Sequence, residues 1–178
     1  MLKDEEREFL LRVARETVDA WVRENRKPSF EPPPGVLREP RGAFVTLRKD
    51  GMLRGCIGLI EPIQPLWEAV RDMAASAATR DPRFPPLQTE EIPGLDIEIS
   101  VLSPLHLLED PEDVDVGVHG ILIREGAYSG LLLPQVAVEH GWDRETYLDQ
   151  TCLKAGLPPG SWKKPGVEVR VFTAEVFS

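Results

Sequence analysis

A chain of 178 residues is long enough to bury a substantial core but short for two independently folded domains, so a single domain over residues 1–178 is expected. Its 42 % hydrophobic and 29 % charged residues are close to ordinary globular usage, which excludes disordered and fibrous classes. The net charge of −9 repels phosphate backbones and disfavours nucleic-acid binding.

The longest apolar runs, Gly130 to Pro134 and Ile97 to Leu102, fall far short of the ~20 residues that cross a bilayer. The N-terminus opens with Lys3-Asp4-Glu5-Glu6 where an exported chain carries an apolar segment, so a cytoplasmic protein without a membrane span is expected. Two cysteines, Cys56 and Cys152, do not make a disulfide framework. The 17 prolines are nearly twice the usual share of about 5 % and point to heat adaptation.

Along the chain, Asp4 to Asn25 repeats Leu10, Val13, Thr17 and Trp21 at helical spacing after an acidic first turn, which predicts an amphipathic helix. Five prolines between Lys27 and Pro40 then predict an extended connection. Gly42 to Lys49 and Met52 to Leu59 are strand-like runs joined by Asp50-Gly51, the signal of a tight type I′ hairpin. A two-residue loop pairs Lys49 with Met52, Leu47 with Arg54, Val45 with Cys56 and Ala43 with Gly58, putting Arg54 and Cys56 on one face.

Pro65 suits a first helical turn, and Leu66, Ala69, Val70, Met73, Ala74 and Ala77 continue a small-residue stripe to about Thr79. Asp81-Pro82-Arg83-Phe84-Pro85-Pro86 stops that helix in a rigid loop. Leu95 to Leu102 alternates as a half-buried strand, and Val116 to Ile123 and Tyr128 to Leu133 form a further strand pair. Val136 to His140 and Asp143 to Ala155 read as helices, and Val167 to Val176 as one final strand. Strands that come partly as hairpins and partly between helices predict an α+β protein with a mixed, mainly antiparallel sheet and flanking helices.

Leu53-Arg54-Gly55-Cys56-Ile57-Gly58 resembles the signature hexapeptide of the AMMECR family. The resemblance extends through Gly42-Ala43-Phe44-Val45-Thr46-Leu47, Asp81-Pro82-Arg83-Phe84, Ile97-Glu98-Ile99-Ser100-Val101-Leu102, His119-Gly120, Leu133-Pro134-Gln135-Val136-Ala137 and Cys152-Leu153-Lys154-Ala155-Gly156-Leu157. It implies two unequal subdomains with the hexapeptide near the cleft between them. It also implies likeness to component A of the AmmeMemoRadiSam grouping, and hence association with a Memo-type protein and a radical S-adenosylmethionine enzyme.

Gly55 and Gly58 within a strand point either to a helix pressing on it or to a ligand approaching it. Cys56 is either a thiol made nucleophilic by Arg54 or an inert one desolvated by Val45 and Leu47. His119 before Gly120 is a candidate general base, set against a structural role. Glu98 faces water or the cleft, and Arg83 either pairs with Asp81 or presents a forked donor to a carboxylate or phosphate. Gln135 joins Arg54, Gly55, Gly58, Arg83 and Glu98 as a candidate ligand-binding residue. His106, His119 and His140 are scattered, so no zinc pattern forms and no metal is expected. Phosphate-loop, dinucleotide and Gly-x-Ser-x-Gly signatures are missing, so no cofactor is named. These residues predict a cleft around Leu53–Gly58 that binds a small molecule or a partner segment. The alternatives are an enzyme with Cys56 as nucleophile and His119 as base, and a non-catalytic adaptor.

Overall fold

The structure is a computed structural model that describes Met1–Ser178. Its elements in chain order are α1 (Asp4–Glu24), β1 (Ala43–Lys49), β2 (Met52–Leu59), α2 (Leu66–Thr79), β3 (Leu95–Leu102), β4 (His106–Leu107), β5 (Gly120–Glu125), β6 (Tyr128–Leu132), α3 (Pro134–His140), α4 (Arg144–Lys154), β7 (Glu168–Phe172) and β8 (Ala174–Phe177). The fold is α+β, as expected, and its strands form two four-stranded antiparallel sheets. The chain divides into two compact units, Met1–Leu102 with Glu175–Ser178, and Ser103–Ala174.

In the first unit the strand order is β2-β1-β3-β8. Leu10 and Val13 of the expected helical stripe, together with Val18, pack α1 against Ala69, Val70, Ala74 and Ala77 of α2 and against Ala43, Val45, Leu47, Ile97, Ile99 and Val101 of the sheet. Trp21 Nε1 donates to Thr79 Oγ1 at 3.0 Å and ties the ends of the two helices. Arg7 pairs with Glu175 at 2.7 Å, and Glu175 also accepts the Leu2 N–H at 3.0 Å, so the far end of the chain is fastened to α1. In the second unit the order is β4-β7-β5-β6. Ile121, Ile123, Val169 and Val171 meet Tyr147, Leu148 and Cys152 of α4, and burial pushes both the Tyr147 phenol and the Cys152 thiol upward in pKa.

The Asp50-Gly51 turn forms as expected, with φ of 52° and 76°, the doubly left-handed backbone of a type I′ turn. The expected register does not survive it. Lys49 pairs with Met52 and Arg48 with Leu53, but a bulge at Leu47/Arg48 leaves Arg54 unpaired, so Leu47 faces Gly55, Thr46 faces Cys56 and Phe44 faces Gly58. One extra residue moves everything beyond it to the other face. The physical reason is the apolar pattern, because only the bulged register lets Ile57 and Leu59 join the core beside Val45 and Ala43. It also turns Gly55 toward α2, where an added Cβ would lie 2.1 Å from the Ala77 carbonyl oxygen. The small-residue stripe of α2 therefore accounts for Gly55 by close packing.

Two further boundaries moved. The final strand breaks at Thr173 into β7 and β8, which belong to different sheets. The Thr173 N–H donates to Ser103 Oγ and its carbonyl accepts from the Ser103 N–H, both at 2.9 Å. The strand expected from Val116 begins only at Gly120, because the His119 N–H donates to the Asp115 carbonyl at 2.8 Å and closes a turn there. No helix is long and apolar enough to cross a membrane.

Gly55→Ala is expected to cost about 1–3 kcal/mol, since helix backbone yields poorly to an inserted methyl. At about 2–4 °C per kcal/mol for a chain of this size, thermal melting detects the loss directly.

Candidate functional site

The bulge makes the face of the first sheet opposite its helices the chemically interesting one. Across three strands, one row of this face reads Cys56, Thr46, Glu98, and the next reads Gly58, Phe44, Ser100. Thr46 Oγ1 donates to Cys56 Sγ at 3.2 Å. Cys56 is half-buried, as is Glu98, while Thr46 and Ser100 are buried. Cys56 thus escapes the core side of Val45 and Leu47 where the straight register had placed it. The Phe44 ring lies over Gly58, 2.1 Å from where a Cβ would stand, so this glycine is filled from within the sheet.

β2 is an edge strand, and its edge is fastened by the loop that follows α2. The Cys56 N–H donates to Asp81 Oδ2 at 2.9 Å. The same carboxylate accepts the Arg83 N–H at 3.1 Å, Arg83 Nε at 3.0 Å and Arg83 Nη2 at 2.7 Å. Asp81 is only 4 % exposed, and the Arg83 guanidinium holds its carboxyl far below the usual carboxylate range against the opposing effect of burial. The Arg83 side chain is 55 % exposed and its Nη2 reaches the Cys56 carbonyl at 3.5 Å. The local pair of Arg83 with Asp81 is thus formed.

Arg54, the bulged residue, extends to the same loop. Its Nε and Nη2 form a fork on the Glu91 carboxylate at 2.7 and 2.9 Å, and Nη1 donates to the Pro85 carbonyl at 3.0 Å. Hydrogen bonding to Glu91 raises the Arg54 pKa and lowers that of Glu91. A guanidinium with all three nitrogens engaged and 14 % of its side chain exposed is a brace between strand and loop. Arg54, Cys56, Gly58, Arg83 and Glu98 are therefore gathered around one sheet, with Gly55 on its opposite, helix-facing side.

His119 and Gln135 belong to the second unit. Gln135 lies in the first turn of α3. His119 Nδ1 accepts the Asp115 N–H at 3.1 Å, and its carbonyl accepts from the Tyr147 hydroxyl at 3.2 Å. In the neutral ring this bond puts the proton on Nε2, so the outer nitrogen is a donor and a base role requires the turn to give up its bond. No group of three or more His, Cys, Asp or Glu side chains is arranged to hold a metal ion.

The sequence reading missed Thr46 as the partner of the sulfur, Asp81 as the acceptor for Cys56, and Glu91 as the partner of Arg54. Asp81 was within reach of it, since Asp-Pro-Arg presents a side-chain acceptor to a nearby N–H. Glu91 carried no local signal, because its partner is 37 residues away.

Two sheet-and-helix units in one chain, with a braced cysteine-bearing edge strand in the first, define the class of protein. The chain belongs to the AMMECR1 family, whose model matches residues 11–177. It is 51 % identical to a protein of Methanopyrus kandleri over 97 % of this chain and 88 % of that one. It is likewise 51 % identical to a protein of Thermococcus kodakarensis, over 99 % of this chain and 91 % of the relative. The crystal structure of an uncharacterized protein from Pyrococcus horikoshii superimposes with a TM-score of 0.89 at 45 % identity, covering 98 % of this chain and 92 % of that one. These relatives come from thermophilic archaea, in keeping with the proline-rich composition.

The lowered Asp81 pKa fixes the sign of an acid effect. A carboxyl whose native pKa lies below its unfolded value of about 3.9 stabilises fully above that value and loses the contribution as pH falls from about 4 toward the native pKa. Urea unfolding at stepped pH is expected to show wild-type stability dropping below about pH 4, and the Asp81→Asn variant, weaker at neutral pH, dropping less steeply there.

Proposed function

We propose that the Leu53–Gly58 segment presents a binding surface, centred on Cys56, for a small molecule or a segment of a partner protein. The observation that carries this reading is the frame around the cysteine. Thr46 fixes the sulfur, Asp81 fixes the backbone N–H, and Arg83 is locked by a buried carboxylate while its side chain stays 55 % exposed. Burying a carboxylate to hold one strand residue is costly, and groups held in place in advance lose little freedom when they engage another molecule. Arg54, by contrast, supports the frame through Glu91 and Pro85.

The family resemblance supplies partners to test: a Memo-type protein and a radical S-adenosylmethionine enzyme. In this reading the sulfur lines the surface, which accords with His119 spending its Nδ1 on Asp115. Mixing the chain with each partner and measuring co-elution on size exclusion is expected to give a complex that persists with Cys56→Ser, which keeps volume and loses only the thiol. Cys56→Phe is expected to weaken that complex at least tenfold at an unchanged melting temperature. A complex indifferent to Cys56→Phe places the surface elsewhere. A measured turnover abolished by Cys56→Ser but not by Arg54→Ala or Gly55→Ala replaces the binding role with a catalytic cysteine.

A further inference from the structure

Resting on the reading that Leu53–Gly58 receives a partner segment, we infer that the Cys56–Gly58 edge of β2 docks an extended peptide segment by strand addition, with the Asp81–Arg83 pair as its latch. In an antiparallel ladder, alternate residues turn their backbone N–H and C=O away from the partner strand. The Cys56 N–H points outward, to Asp81, so the alternation turns the groups of Gly58, two residues on, outward as well. A neighbouring strand would offer Cys56 a carbonyl for its N–H and an N–H for its carbonyl. The side chains stand in those two places, the Asp81 carboxylate accepting at 2.9 Å and Arg83 Nη2 donating at 3.5 Å. The Gly58 N–H and C=O receive no side-chain hydrogen bond, so the edge is covered at one peptide unit and unguarded at the next. Natural sheets protect such edges because an unpaired ladder recruits another chain, and strand addition is a recognised mode of peptide capture.

The occupant is a short segment of another protein. The bulge at Arg54 ends the regular edge on one side, leaving about two outward peptide units. So short an edge falls well short of the roughly 1,200–2,000 Å² that a stable protein pair buries. A second copy would also bring a second net charge of −9.

The test uses the full chain and a labelled synthetic peptide copying Ala43–Lys49, which is the sequence that already pairs with β2 from its inner side. The control is the same peptide N-methylated at alternate residues, with equal charge but without ladder donors. Asp81→Ala opens the latch, and Arg83→Gln, altering a side chain 55 % exposed, loosens it at less risk to folding. Near-ultraviolet circular dichroism checks that each variant keeps its tertiary packing. The expected result is at least tenfold faster amide exchange at Cys56 in Asp81→Ala, and at least tenfold tighter binding of the plain peptide than by the wild type. Arg83→Gln is expected to gain several-fold, and the N-methylated peptide to gain nothing in either variant. Faster Cys56 exchange without a gain in peptide affinity overturns the proposal, as does equal binding of the N-methylated peptide. Dimers of the open variants that exclude the peptide overturn it too and assign the edge to a second copy. Peptide docking reads the backbone and the Cys56→Phe experiment reads the side-chain face, so failure of one is distinguishable from failure of the other.

Discussion

The bulge that leaves Arg54 without a cross-strand partner governs the rest of the first unit. With one residue absorbed there, Ile57 and Leu59 turn toward the core, Gly55 turns toward α2, and Cys56 turns away from both helices. Without it, the thiol would lie beside Val45 under the helices and two large apolar side chains would face outward. The bulge also frees Arg54 to reach sideways along the sheet, where its fork on Glu91 draws the connecting loop against the strand edge. A local irregularity in pairing thus sets which side chain is core, which is brace and which is available to another molecule.

The loop it secures is an inexpensive element to hold in place. Pro82, Pro85 and Pro86 restrict its unfolded conformations, so less entropy is lost when it is ordered. The buried Asp81 carboxylate carries hydrogen bonds from Cys56 and from three donors of Arg83, which answers the cost of placing a charge where water is scarce. Two Arg–carboxylate forks, one at each end of the loop, make its attachment stiff and directional.

Much of this architecture was legible in the sequence, and the portions that were not share a cause. The helices, the Asp50-Gly51 turn and the Leu95–Leu102 strand follow from periodicity and turn chemistry, both of which act over a few residues. The packing of α2 on Gly55 was also readable, because a bare strand position and a small-residue helix fit each other. The bulge was not, since counting back from a tight turn assumes unbroken pairing, and the competing clue was the placement of Ile57 and Leu59. The division into two sheets was masked because Val167 to Val176 reads as one strand-like run, although its apolar residues change phase at Phe172, just before the pairing of Thr173 with Ser103 marks the change. The brace of Arg54 on Glu91 and the place of Asp81 depend on residues brought together by the fold, to which a local pattern is blind.

The path of the chain has a temporal consequence. Residues 103–174 form a self-contained unit inserted between Leu102 and Glu175, and β8 returns to the first sheet only after they have been traversed. During vectorial synthesis the inserted unit therefore emerges in full before the first unit receives its last strand. Until Glu175 arrives, Arg7 and the Leu2 N–H lack their carboxylate and β3 lacks its outer neighbour. The first unit must wait on the ribosome, half-edged, for the second to be made, and the contact between Arg7 and Glu175 that closes it spans a sequence separation of 168 residues.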